Sequence, residues 1–198
     1  MSPLLDSIGS VKGFGFGALL ETFTPTGSYD ALATYTVPAG GVSTITFAGI
    51  PTGGQYSHLQ IRQIARTTVA TGIQSGNGIR FNSDTASNYG IHQLLGDGSS
   101  ASAAAITPDS YIFYSANTGT SAGSNIFGAA VIDILDYAST TKFKTVRTLA
   151  GADLNGSGSI YFRSGLWRST SAINTITIDC RDSGSFTQYS QFSLYGVK

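Results

Sequence analysis

Charge is what this chain has least of. Only 11% of its 198 residues are Asp, Glu, Lys or Arg, against roughly 25% in a typical soluble domain. The 11 basic and 11 acidic residues cancel. The basic ones are scattered singly, which excludes the clustered positive footprint of a nucleic-acid binder. Cysteine occurs once, as Cys180, so no internal disulfide can form, and a reducing compartment is expected. Histidine occurs twice, as His58 and His92, and with one cysteine gives no zinc-ligand spacing. Glutamate occurs once, as Glu21, and no local carboxylate pair marks a glycosidase. No run approaches the ~18 apolar residues of a membrane helix. The opening "MSPLLDSIGSVKGFGFGALL" lacks the apolar core of a signal peptide. The expectation is a chain with no cofactor, no nucleic-acid partner and no membrane insertion.

What is abundant is small and neutral. Gly, Ser and Thr make up 74 of the 198 residues, while hydrophobic residues are 41% and aromatics 11%. A chain of this length buries roughly 70% of its unfolded surface, enough for a sizeable core without staples. Few charges and many small hydroxyl side chains suit a β surface that contacts other protein.

Two regions are expected. Residues 1–28 form a glycine-rich arm without periodicity that still carries Phe14, Phe16, Leu19, Leu20 and Phe23. A free tail would seldom keep so many apolar side chains, so the arm is read as a docking element. From Tyr29 onward the signal is short alternating runs between turn residues. "VSTITFAGIP" sets Ile45 and Phe47 against threonines. "YSHLQIRQIAR" sets Leu59 and Ile61 on one face and His58, Gln60 and Arg62 on the other. Similar runs are "LATYTVP", "GIRFN", "NYGIHQLLG", "YIFYSA", "NIFGAAVIDILDY", "KFKTVRTL", "SIYFRSG", "INTITIDC" and "YSQFSLYGV". They predict about ten strands and no helix: an all-β antiparallel β-sandwich, jelly-roll-like, over residues 29–198. In the hairpin through "ASTT", Asp133 and Asp136 are expected to face Lys142 and Lys144.

Motifs that suggest chemistry fail on context. "GTSAG" puts Ser121 in a nucleophile-elbow pattern, but no helix follows and both histidines lie upstream. "GFGFGA", Gly13 to Ala18, lacks the strand, helix and downstream acid of a dinucleotide site. "DLNGSGSI" begins like a calcium loop at Asp153, Asn155 and Ser157, yet its twelfth position is Ser164 instead of glutamate. A hairpin turn is the better reading there. "RFNSDTASNYGIHQLLGDGSSAS" gathers Arg80, Asp84, His92 and Asp97, and reads as strand, polar loop, strand and a serine-rich excursion. Cys180, beside Ile176 and Ile178, is expected to be a buried, inert thiol.

Five segments in order carry a resemblance. They are "FAGIPTGGQYSHLQIRQIAR", "IRFNSDTASNYGIHQLLGDGSS", "VIDILDYASTTKFKTVRTLAGADLNGSGSI", "SGLWRSTSAINTITI" and "GSFTQYSQFSLYGVK". Together, over about Tyr29 to Lys198, they resemble a family of tailed-bacteriophage virion proteins of the cyanophage type, labelled virion structural, capsid-associated or tail-fibre-like. The resemblance implies a place on a particle, without catalytic residues to carry over.

The sequence-based expectation is thus a noncatalytic virion structural protein, made in the host cytoplasm. As a capsid decoration or cement protein, it would be a homotrimer contacting the major capsid protein or other virion proteins. The alternative is a tail-fibre or receptor-binding domain for host surface glycan, exposing Tyr89, Tyr114 or Trp167 in a groove. The interface residues expected are Phe14, Phe16, Leu19, Leu20, Phe23, Trp167 and Arg168. Trp167 has two readings, core plug or interface anchor, the second because Trp and Arg are enriched at interface hot spots.

Overall fold

The computed structural model describes residues 27–74 and 77–198. The apolar arm residues Phe14, Phe16, Leu19, Leu20 and Phe23 lie outside the described residues.

Among the described residues fourteen strands follow one another. They are β1 (Tyr29–Thr36), β2 (Thr44–Ala48), β3 (His58–Ala65), β4 (Ile73–Gln74), β5 (Gly78–Phe81), β6 (Tyr89–Gly96) and β7 (Ala101–Asp109). Then come β8 (Ile112–Phe113), β9 (Asn117–Thr118), β10 (Gly128–Leu135), β11 (Lys144–Asp153), β12 (Gly158–Trp167), β13 (Thr175–Asp179) and β14 (Gln191–Val197). An eight-stranded sheet has the order β1-β14-β3-β10-β11-β12-β6-β7, and a four-stranded sheet the order β2-β13-β5-β8. The strand pairs in both sheets are antiparallel.

The topology is that of a jelly roll with additions. The chain alternates between sheets: β2 lies in the small one, β3 in the large, β5 in the small, β6 and β7 in the large, and β8 in the small. It returns through β10–β12 to the large sheet and closes with β13 in the small one. That wrapping is the double Greek key of a jelly roll. The jelly roll proper is β1-β14-β3-β10 over β2-β13-β5-β8, and the additions are β11, β12, β6 and β7, which extend the large sheet beyond it.

Period-two sequence makes the core. Leu59, Ile61, Ile132, Ile134 and Val146 point inward from the large sheet and meet Ile45, Phe47, Ile79, Ile176 and Ile178 of the small one. Gly165 lies where a Cβ would stand 2.7 Å from the Ile112 side chain, so the sheets approach closely at that point.

The expected hairpin exists, with the expected partner for Asp136 and a different one for Asp133. Asp136 pairs with Lys142 at 2.7 Å. Asp133 sits opposite Arg147 and accepts a bond from Gln60 Nε2. Lys144 is buried and donates to the carbonyls of Ser139 and Lys142, clamping the turn.

Three strands were unexpected, the two-residue β4 and β9 and the longer β7. The "serine-rich excursion" after Asp97 is β7, paired with β6 at the rim of the large sheet. The "YIFYSA" run, in contrast, yields only the two-residue β8.

Candidate interaction surface

The polar groups of the suspicious stretch serve the fold. The Asp84 carboxylate accepts from Trp167 Nε1 at 2.7 Å, Asn88 Nδ2 at 2.9 Å and the Ala86 N–H at 2.9 Å. Burial opposes its ionisation, but these three donors outweigh it and hold the carboxyl below its ordinary 3.8. Trp167 stacks on Tyr89 with centroids 6.3 Å apart and lies 5.5 Å from Phe81. It is only 2% exposed. Of the two readings for Trp167, the structure places it as the core plug, because a side chain enclosed this way has no face to offer a partner. Tyr89 and Tyr114 are fully buried as well, so the expected aromatic groove for glycan is absent at those three residues. Arg168 is exposed and holds the preceding loop by donating to Ser87 O.

The other motifs resolve locally. His58 Nδ1 accepts the Asp136 N–H at 2.9 Å, tying β3 to the β10–β11 turn. His92 stands on the outward face of β6 opposite Ser164 and Ala105. The Ser121 N–H bonds Thr71 O within an exposed loop. Asp153 Oδ1 accepts the Asn155 N–H inside the β11–β12 turn, where Asn155 and Gly156 have positive φ. No group of three metal-ligating side chains occurs among the described residues. Cys180 is buried, and burial, reinforced by the Asp182 charge, pushes its thiol up to about 12.

The outward face of the large sheet is different. Ladder registers line up Ala103, Leu94, Phe162, Leu149 and Val131 as direct neighbours across β7, β6, β12, β11 and β10. The next row, one pleat along, runs Ala101, Gly96, Ile160, Gly151, Ala129 and Ile64. Neither row contains a charge. The six large residues, Leu94, Phe162, Leu149, Val131, Ile160 and Ile64, keep between 39% and 59% of their surface in solvent. Toward β3 and β14 the first row becomes Arg62 and Ser193.

Unequal side-chain heights give this face relief. A concavity of about 510 Å³ opens between Leu94 and Phe162, floored by Ala103, Ala105 and Ser164. A second, about 680 Å³, lies where Gly96 and Gly151 flank Ile160. At the rim, β7 is exposed from Ala101 to Pro108. Below the sheet, Arg163 is buried between Gln93 Oε1 at 3.0 Å and Ser115 O at 2.9 Å, and burial lowers its pKa to about 10. It stays charged at neutral pH and crosslinks β12 to β6 beneath the apolar rows.

Comparison with family models, curated proteins and solved structures finds no match for this chain.

The arrangement offers ridges and troughs of hydrocarbon on a rigid sheet, the chemistry of a protein-contact surface. Sequence reasoning named interface residues in the arm and around Trp167 and passed over Leu94, Leu149, Ile160 and Phe162. Their signal was present in "SIYF", where apolar residues occupy both parities of one strand.

Proposed function

We propose that this chain is a noncatalytic structural protein of a tailed-phage virion, acting on the capsid surface as a decoration or cement protein. The observation that carries the reading is the uncharged apolar surface across five adjacent strands of a jelly roll. Solvent contact disfavours such a surface, and burial against protein stabilises it. The segment-by-segment resemblance to phage virion proteins and the very low charge content support the same reading. The partners are the major capsid protein or other virion proteins, with the chain as a homotrimer made in the host cytoplasm. The glycan-binding alternative is the weaker one, since Tyr89, Tyr114 and Trp167 are core residues.

The test is cosedimentation of the purified chain with capsids that lack their own copy. Saturable binding that persists at high salt is expected, because the docking arm expected of residues 1–28 is apolar. No binding to such capsids, together with binding to host cell surfaces, would replace this reading with the tail-fibre one.

A further inference from the structure

We infer that the outward face of β10, β11, β12, β6 and β7 is a self-association surface whose occupant is a second copy of this chain. The inference does not need the virion reading, since association of the purified chain tests it and capsid binding does not.

Area is the first argument. From their fractional exposures, Leu94, Phe162, Leu149, Val131, Ile160 and Ile64 together leave roughly 550–600 Å² of surface in solvent. This stands at the upper end of the roughly 300–600 Å² of the largest patch on an ordinary monomer, a size often functional, and below the about 800 Å² each partner gives a standard interface.

Charge is the second. From β10 to β7 both apolar rows are neutral, and their margin mixes signs: Arg62 beside Val131, Asp133 next to Arg147, and Asp97 and Asp153 at the concavity around Ile160. A second copy brings the same neutral strip and the same mixed flank, so no like-charge block opposes association. A strongly acidic or basic partner would gain nothing from this face.

The third is β7. Among the described residues the strand is paired on one side only, through β6, and residues 101 to 108 are exposed. A long edge strand with both faces in solvent and no charge before its last residue, Asp109, is a liability unless an assembly covers it. Leu94 and Phe162 wall the trough that Ala103, Ala105 and Ser164 floor, so the face offers both ridge and groove to its own copy.

The experiment is sedimentation velocity of the full chain over a concentration series. Three proteins are compared: wild type, the double variant Leu149→Lys/Phe162→Lys, and the milder double variant Leu94→Thr/Phe162→Thr, which keeps β propensity. Circular dichroism and melting temperature verify each fold. Phe143→Ser, in the β10–β11 turn away from both rows, is the control. Wild type and the control are expected to form a discrete oligomer. The threonine variant should weaken it about tenfold or more, and the lysine variant should be monomeric. An oligomer unchanged in both folded variants overturns the inference. So does a wild-type monomer at high micromolar concentration. If Leu94 and Phe162 of that monomer are shielded from hydroxyl-radical labelling, residues 1–26 cover the face instead.

Discussion

The two faces of the large sheet carry the same kinds of side chain under opposite conditions. Inward, Leu59, Ile61, Ile132 and Val146 are sealed against the small sheet. Outward, Val131, Leu149, Phe162 and Leu94 stand one residue away on the same or neighbouring strands, half in solvent. An antiparallel sheet with one wet face ordinarily reads apolar-in and polar-out. Strand β3 mostly obeys that rule, with Arg62 outward, whereas β12 breaks it with Ile160, Phe162 and Leu166. The outward hydrocarbon therefore does not serve the stability of the isolated chain, and truncating it should reveal that.

The largest effect is expected at the corner that locks the inward face. Trp167→Ala should cost about 3–5 kcal/mol in urea unfolding, since it opens a cavity between Phe81 and Tyr89. It also strips a donor from Asp84. A loss under about 1 kcal/mol would mean that Trp167 is not the core plug.

A matched pair sharpens the contrast between faces. Ile132→Ala, inward on β10, should cost about 2–5 kcal/mol. Leu149→Ala, outward on β11, should stay within about 0.5 kcal/mol of wild type when both are measured as monomers. Equal losses would erase the distinction between the faces.

Next in size is Asp84→Asn. It removes a charge-assisted bond to the indole while keeping the shape, and a loss of about 1.5–3 kcal/mol is expected. The same carboxylate sets a pH dependence. Its folded pKa lies below the ordinary 3.8, so its stabilisation is present above that value and disappears as pH falls through the folded one. Asp30, held down first by the Lys198 bond, and Asp136, by the Lys142 bond, act in the same direction. Melting temperature should fall below about pH 4, and less steeply in Asp84→Asn. Identical acid profiles for the two proteins would remove Asp84 from the account.

The smallest effect concerns Cys180. Its buried thiol should react with a thiol reagent far more slowly in the native chain than in urea, because so little thiolate forms near neutral pH. Equal rates would show that the site is open.

Several elements were legible in the sequence because contrast was strong. In "VSTITFAG" and "INTITID", isoleucines and phenylalanine alternate with threonines, and β2 and β13 are there. The turns at Asp153 and Asp136 announced themselves by Asn, Gly and Ser. Strand β7 did not, because "ASAAAITPD" has a single large apolar residue, Ile106, and a single charge, Asp109, at its end, and no face of it is buried to impose a period. The buried cations were also hidden. Arg163 and Lys144 occupy inward positions that pattern reasoning reserves for hydrocarbon, and backbone carbonyls, with Gln93 for Arg163, satisfy them. The candidate surface was missed for a related reason. An apolar residue on an outward parity looks like noise on one strand and becomes a row only when the registers of five strands are known.

Hydroxyl-radical labelling of the wild-type chain across a concentration series tests the central claim most directly. The account predicts that Leu94, Leu149 and Phe162 lose reactivity together as concentration rises, while the equally exposed Phe143 does not. Reactivity of the three residues that stays constant across the series, at the level of Phe143, would contradict it.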